Sequence, residues 1–559
     1  MPDASFDAVV IGGGQHGLVI SNYLALNGMS VALFERSPEV GGPACSRSSP
    51  LPGFIANPHA EYLGFWNMPC NQDFRLHEKG LEFIFPDVQV AMAYPDGRCI
   101  VIYTAIEWDK ETGSITPRPD IILEKNVREV ARISPIDAER MAKLTEKRFW
   151  DWFAAIFQHL FNPPPLPGEP DPIGALLSDP ESGLDPRYQF MTEMEVVSDL
   201  FESPEVRSLA LAWNLYNGVF PDDVVPLPMA FLWLSSLMGV SGMALAKGGT
   251  HNVAHALQRA FNEQGGKFFV EADVDQVLIK NGRACGIRLA DGTEVEAKKV
   301  VVDAIDVTQT INRHLRNMPI SSEIRRKVNS LRNDRGQYLW GHAALHEAPQ
   351  YKAASWNPDF GKARWPLMGD PDLEYLFREY RFRAQLRKPG LWPPKDYISA
   401  STDSQWDTNY APPGKHLVHI GAGLAPPASW LTEREWMELK KEAGDYVLGE
   451  WRKYAPNMTA DKVIAINIGV PYEHQLTNIS WVDGNVNSSP APLPHTWCKS
   501  RPIPELAQYQ MPGIESLWFA GGSWHHGVGL LGAAGYNCYK RMAHKLGLRK
   551  PWEEQGRLI

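Results

Sequence analysis

The first continuous apolar run is Asp7-Ala8-Val9-Val10-Ile11, the kind expected of a strand buried on both faces. Gly12, Gly14 and Gly17 come next, where a tight turn must open a helix, and Leu18, Ile20, Tyr23 and Leu24 continue at helical spacing until Gly28. Ser30 to Phe34 reads as a second strand ending in Glu35, which completes a βαβ unit. Farther along, Val253, Ala256, Leu257, Ala260 and Phe261 form a helical stripe behind Gly248-Gly249. Lys267 to Ala272, Val274 to Ile279, Ala284 to Ala290 and Val300 to Val302 follow, with turns at Asn281-Gly282 and Asp291-Gly292. Asn-Gly and Asp-Gly between short β-rich runs are strong hairpin signals, so the stretch predicts a three-stranded meander leading into another core strand. Near the end, an apolar strand from Leu517 feeds a glycine-rich turn that opens a last helix.

Two apolar stretches test whether the chain enters a membrane. Val224 to Ala246 carries no charge and is long enough to span a bilayer. Pro226, Pro228, Gly239 and Gly242 interrupt it, and a Lys-Gly-Gly-Thr turn follows, so a buried element is expected. Phe149 to Phe157 reads as domain core; the alternative is a monotopic helix making peripheral membrane contact where a lipid-like substrate enters.

Composition narrows the class. A chain of 559 residues is too long for one compact core and points to two interleaved or tandem domains. A balance of 44% hydrophobic and 21% charged residues is that of a globular enzyme, and a net charge of −10 without a lysine or arginine run argues against nucleic acid. The six cysteines, Cys45, Cys70, Cys99, Cys285, Cys498 and Cys538, contain no C-x-x-C pair, so neither a metal site nor a redox disulfide is expected. They read as reduced thiols, and a first strand starting near residue 6 leaves no room for a signal peptide; both readings predict a cytoplasmic protein.

The glycines supply the candidate chemistry. Side chains at Gly12 or Gly14 would block approach of the backbone to a diphosphate, which the helix N-terminus stabilises, and Glu35 is placed to accept hydrogen bonds from a ribose diol. A second pair, Gly41-Gly42, lies just beyond Arg36. Simple nicotinamide domains do not need it, whereas the pyrophosphate and ribityl chain of a flavin run on past the first loop. Gly12 to Gly42 thus resembles the N-terminal fingerprint of the FAD-dependent amine oxidase and phytoene desaturase superfamily. Leu517 to Gly535 resembles the C-terminal flavin motif of phytoene desaturases and of the pyridine nucleotide-disulfide oxidoreductase domain-containing protein 2 group. Gly521, His525, Gly527, Gly529, Gly532 and Gly535 match that motif, whereas His526 replaces a proline, and Ser523 and Val528 replace glycines. Side chains are therefore expected to approach the isoalloxazine more closely here. Gly42 is followed by Pro43-Ala44 rather than the arginine of the carotene desaturases, which moves the chain toward the second group, whose Pro52-Gly53-Phe54 stretch it also resembles.

The resemblance implies an α/β fold in which a Rossmann-like FAD-binding domain of the glutathione reductase type (GR2 family), residues 1–75, 245–330 and 506–559, is interleaved with an α+β substrate domain, residues 76–244 and 331–505. It places FAD against Gly12, Gly14, Gln15, His16 and Gly17, against Glu35, Arg36, Gly41 and Gly42, and against the backbone of Val274 at the adenine. Gly521, Gly522, Gly529, Leu530 and Leu531 are implied around the flavin. The only other glycine turn of this type, Gly421-Ala422-Gly423, runs into Pro426-Pro427, which forbid a helix. With no second dinucleotide unit and no cysteine pair, electrons are expected to leave for oxygen, a quinone or another external acceptor.

Fifteen of the 19 tryptophans fall in the second domain, as expected if it encloses a hydrophobic small molecule, cyclic or aromatic. The resemblance implies dehydrogenation at a C–C bond by hydride transfer to flavin N5, which also needs a base for the neighbouring proton. His525 and His526 are the leading candidates, since imidazole titrates near neutral pH. His59 with Glu61 forms a second cluster and His495 a third, and for His59 and His495 a structural role carries more weight. Two rival functions remain: C–N oxidation of an amine, and a non-enzymatic binding protein like the GDP-dissociation inhibitors, which share this fold.

Overall fold

The computed structural model describes residues 2–61, 64–146, 149–182, 185–215, 221–224, 234–333, 337–375, 378, 392, 397–486, 501–527 and 532–559. The chain begins with β1 (Ala4–Ile11), α1 (Gln15–Ala25) and β2 (Val31–Phe34), then leaves for β3 (Val88–Ala93), β4 (Cys99–Tyr103) and α2 (Phe149–Leu160). It returns through α3 (His251–Glu263), β5 (Lys267–Phe269), β6 (Val274–Lys280), β7 (Arg283–Leu289) and β8 (Glu294–Asp303). A second excursion holds β9 (Tyr338–Leu345), β10 (Ala363–Met368), β11 (Ile398–Ser401), β12 (His416–Leu424), α4 (Glu433–Arg452) and β13 (Val463–Gly469). The last elements used below are β14 (Leu517–Phe519) and α5 (Ala533–Leu546).

The first sheet has seven strands in the order β5-β2-β1-β8-β7-β6, with β14 beside β8. β1, β2, β5, β8 and β14 run parallel, and Val9 and Val10 are fully buried, each contributing about 1.5–3 kcal/mol through loss of water contact. α1 packs on this sheet between α3 and α5, and every one of its residues is buried. The Asn22 amide donates to the carbonyls of Leu18 and Leu257 at 2.9 and 3.0 Å, tying α1 to α3. The hairpin turns fall where Asn281-Gly282 and Asp291-Gly292 put them, but two details differ from the sequence reading. Lys267–Phe269 pairs in parallel with β2 outside the meander, and the meander's third strand is instead the first part of the core strand itself, one ten-residue β8. β8 pairs with β1 along most of its length. Its burial alternates over Glu294–Lys299, where β7 is the other neighbour at Glu294–Glu296, and is complete over Val300–Asp303, where β14 is the other neighbour from Val301, so one strand serves two environments.

The second sheet also has seven strands, in the order β13-β9-β12-β11-β10-β3-β4. Trp436, Val447 and Trp451 of α4 cover one face, and a Thr432–Glu435 capping box fixes the start of that helix. On the other face Ala344 and Leu417 meet Phe54, Ala56 and Tyr410. Side chains alternate along a strand, so His342 and His419 project toward this same N-terminal segment.

Residues 225–233 of the uncharged stretch lie outside the described residues; Leu234, Leu237, Met238 and Val240 beyond them are buried. No helix among the described residues is long and apolar enough to cross a membrane. In α2, Phe149, Trp152 and Ile156 are buried, and Trp150, Phe153 and Phe157 pack partly buried against the same core. Cys45, Cys70, Cys99, Cys285 and Cys538 are free thiols, and Cys498 is outside the described residues.

Candidate functional site

The parallel strands end level with one another: Ile11 pairs with Phe34 and with Asp303, and Asp303 with Phe519. Both glycine loops leave from this edge, the carboxyl ends of the strands, where open α/β sheets bind ligands. Gly12 turns the chain with φ +93°, and a Cβ on Gly17 would lie 1.9 Å from the Gly12 carbonyl oxygen, so the loop closes only around a glycine there. The Glu35 carboxylate accepts from the N–H of Gly13 at 2.7 Å and of Ser37 at 2.8 Å, strapping the first loop to the one after β2. The Gly41 N–H donates to the Gly13 carbonyl at 2.8 Å, and a Cβ on Gly42 would approach Gly14 Cα to 3.2 Å. Gly14 itself is different: its φ of −68° suits any residue, yet a Cβ there would meet nothing within 4 Å.

α1 begins at Gly14 without a side-chain cap or an acidic residue in its first turn, although Gln15, His16 and Gly17 are buried. α5 does the same from Gly532, with Ala533, Ala534 and Gly535 buried. Gly535 lets the two helices touch, since a Cβ there would lie 2.2 Å from the His16 carbonyl oxygen. Two buried, uncapped helix N-termini side by side form a region of positive potential that suits an anion. With the open slot at Gly14, these residues fit the diphosphate of a dinucleotide. Val274 is buried at the start of β6, two residues past Ala272, whose N–H donates to the Glu35 carbonyl at 2.9 Å; Arg36 is exposed. Gly521 packs against the backbone, where a Cβ would lie 1.8 Å from the Ile305 carbonyl oxygen, and the carbonyl of Gly522 accepts from Arg501 at 2.6 Å. Val528, Gly529, Leu530, Leu531 and His495 lie outside the described residues. Ser523 does not offer its hydroxyl outward as the comparison of motifs led one to expect; it donates to Asp306 at 2.7 Å and accepts from the Val307 N–H at 3.1 Å.

His525 and His526 are both buried, in company with His16, His159 and Arg501. The Nε2 of His525 meets the carbonyl of His159 at 2.7 Å, while Asn537 and Lys540 of α5 donate to the carbonyls of Leu160 and Phe161. These three side chains satisfy the C-terminal carbonyls of α2. Sequence reasoning expected imidazoles titrating near neutrality. Instead burial, reinforced by His525, Arg501, His159 and His16, holds His526 well below the usual imidazole range, and burial with a smaller effect of Arg501 brings His16 to about 4.

The other predicted pair sits in a second cluster. His59 packs edge-on against Trp481 with ring centres 4.3 Å apart, near His474 at 5.3 Å. Glu61 is buried, its Oε1 3.2 Å from Arg364 Nη2, and Arg364 Nη1 donates to Asp403 at 2.9 Å. Burial and the nearby Glu61 raise the Asp403 carboxyl well above the carboxylate range. His342 and His419, cross-strand partners on β9 and β12, complete the group with ring centres 5.1 Å apart. The two clusters communicate through Asp306, which takes the Ser523 hydroxyl and whose N–H donates to Ser480, next to Trp481. Sequence reasoning missed His342, Arg364, Asp403, His419 and His474. For His342, Arg364 and His419 the only local signal is a polar residue set in an apolar strand, which does not say what it will face; Asp403 and His474 sit in short helical turns that carry no such signal.

Residues 10–72 match the family described as an NAD(P)-binding Rossmann-like domain. Over its length the chain is 24% identical to a limonene dehydrogenase polypeptide of Castellaniella defragrans, covering 99% of this chain and 97% of that one. It is also 24% identical to pyridine nucleotide-disulfide oxidoreductase domain-containing protein 2 of Mus musculus, over 95% and 92% of the two chains. Phytoene desaturase (neurosporene-forming) of Cereibacter sphaeroides is 26% identical over 62% of this chain and 64% of its own. The structure of cyclohexylamine oxidase from Brevibacterium oxydans shares the fold, with a TM-score of 0.54 and 15% identity over 97% and 99% of the chains. The fold is Rossmann-like, and relatives that match nearly the whole chain are named as oxidoreductases. The chain fits the FAD-dependent oxidoreductase superfamily of amine oxidases and phytoene desaturases.

Proposed function

We propose that the protein is an FAD-dependent dehydrogenase that desaturates a C–C bond of a hydrophobic, cyclic or aromatic small molecule and passes the electrons to an external acceptor such as oxygen or a quinone. The observation that carries this reading is the pair of buried, uncapped helix N-termini meeting beside the open slot at Gly14. The names of the relatives, limonene dehydrogenase and phytoene desaturase, support a hydrophobic substrate and C–C chemistry. In this reading residues 1–75, 245–330 and 506–559 form the cofactor domain, and 76–244 with 331–505 the substrate domain.

The loop from Gly12 to Gly17 would hold the diphosphate, Glu35 the ribose, Gly41-Gly42 the ribityl chain and the backbone of Val274 the adenine, with Gly521 and Gly522 at the flavin. When bound, FAD supplies a two-electron acceptor for a hydride. The first-turn N–H groups of α5 stabilise negative charge that develops at this end of the site. His526, neutral in dry surroundings, can take the proton from the carbon beside the one that loses hydride. Arg501 opposes the imidazolium, so the proton is passed on rather than stored. His525 positions this edge by holding the end of α2.

Anaerobic reduction of the purified flavoprotein tests the reading, with bleaching followed for a monocyclic terpene, a carotene and a cyclic amine. The terpene or the carotene should bleach the flavin, with one double bond gained per flavin reduced. Bleaching by the amine alone, with a deaminated product, would replace C–C desaturation by C–N oxidation.

A further inference from the structure

The cluster around Glu61 carries chemistry that hydride transfer does not use. One ligand atom from each of Glu61, His342 and His419 lies within 4.8 Å of the other two, and all three residues are buried. Glu61 Oε2 and His419 Nδ1 are 3.4 Å apart, the separation of two ligands about 2.1 Å from one ion in tetrahedral geometry. Glu61 Oε2 and His342 Nε2 are buried without a hydrogen-bond partner, in side chains that are each 3% exposed as residues. A carboxylate oxygen sealed in that way is costly unless something compensates it. Both atoms are sealed from solvent, which closes the site to an organic group and suits a bare ion bonding at about 2.1 Å.

The outer contacts are those that orient metal ligands. The second oxygen of Glu61 faces Arg364 at 3.2 Å, and His342 is hydrogen-bonded to the backbone of Asn57. Arg364 also binds Asp403, so two carboxyl groups face one guanidinium and a negative charge is left for a cation or a proton. We propose that Glu61, His342 and His419 together bind one divalent first-row transition-metal ion. Two imidazoles and a carboxylate suit zinc and ferrous iron alike. The ion ties the segment that follows the glycine loops to the paired strands β9 and β12. Asn57 extends the brace toward the cofactor loops, because its side-chain oxygen accepts from Ser46 at 2.7 Å and from the Thr250 N–H at 3.0 Å. Glu61 is thereby a ligand rather than the base that its place near His59 had led one to expect.

The test is metal analysis of the full-length flavoprotein after loading with Zn2+ or, anaerobically, with Fe2+, and gel filtration. About one ion per chain is expected, with at least a tenfold loss in Glu61→Gln, His342→Ala and His419→Ala and none in His474→Ala, a neighbouring histidine outside the triad. Preference for one of the two ions identifies the resident metal. If the ligand variants do not fold, wild-type protein stripped by a chelator and refilled with Co2+ should gain ligand-field absorption to the red of the flavin, at one equivalent. Wild type that retains less than about a tenth of an equivalent of Zn2+, Fe2+ and Co2+ overturns the proposal and leaves a proton shared by Glu61 and Asp403. Full retention in all three folded variants overturns it equally.

Discussion

Replacing Gly14 by valine separates the needs of the fold from the needs of a ligand. A Cβ at Gly14 would touch no protein atom within 4 Å, and its φ of −68° and ψ of 176° are open to valine. The chain should therefore fold, at a cost of about 1 kcal/mol for a branched residue at an N-cap. The space the side chain enters is the approach to the first turn of α1, where a diphosphate would take charge-assisted hydrogen bonds from the backbone. Each such bond contributes about 1.5–3 kcal/mol, so losing two costs about 3–6 kcal/mol, or about 10²- to 10⁴-fold in Kd for FAD. Flavin absorbance per chain after dialysis, followed by FAD titration calorimetry, measures this, and circular dichroism confirms the fold. Gly17→Ala is the contrasting control: its Cβ would collide with the Gly12 carbonyl at 1.9 Å, so that variant should fail to fold rather than fold empty. A folded Gly14→Val protein with a full complement of FAD would refute the placement of the cofactor.

Glu35→Ala removes the acceptor of two backbone N–H groups and the ribose partner, so it should weaken FAD retention by less than Gly14→Val while lowering the thermal midpoint. His526→Ala should stay yellow and lose substrate-driven flavin reduction by about 10²- to 10⁴-fold, the usual worth of a general base; rates within a few-fold of wild type would remove it from catalysis. His525→Ala should instead lower stability by about 1–3 kcal/mol in urea titration, because the buried His159 carbonyl loses its donor. Acid should destabilise the protein below pH 6.5, since His16 and His474, brought by burial to about 4 and about 3, stay neutral in the folded state while the unfolded chain takes up protons. Each such histidine costs about 1.4 kcal/mol per pH unit between its unfolded and folded pKa, and a urea midpoint unchanged from about pH 6.5 to 5 would contradict this. NADH and NADPH should not reduce the flavin at catalytically useful rates, because the sequence carries one strand–glycine–helix unit of the dinucleotide type and FAD is proposed to fill it; rapid anaerobic bleaching by either refutes that.

The sequence alone determined whatever depends on neighbours along the chain. The strand–glycine–helix unit from Asp7 to Gly28 was legible because a turn that tight tolerates only glycine at Gly12 and Gly17, and a buried parallel strand is apolar throughout. The hairpins were legible because Asn281-Gly282 and Asp291-Gly292 supply the positive φ that short turns demand. Tertiary structure decided the rest. Lys267–Phe269 joined β2 because the sheet had an edge to fill, which nothing in three residues announces. His525 became the partner of a helix end because α2, far away in sequence, stops beside it. His526 lost its neutral-range titration to burial, to His525 beside it and to neighbours from three other segments, Arg501, His159 and His16. Glu61, His342 and His419 met because β9 and β12 pair in register on the face turned toward the N-terminal segment. Local pattern fixes backbone conformation, since that is a matter of nearby sterics and hydrogen bonds; the chemistry of a buried side chain depends on its desolvation and its partners, and those come from the whole chain.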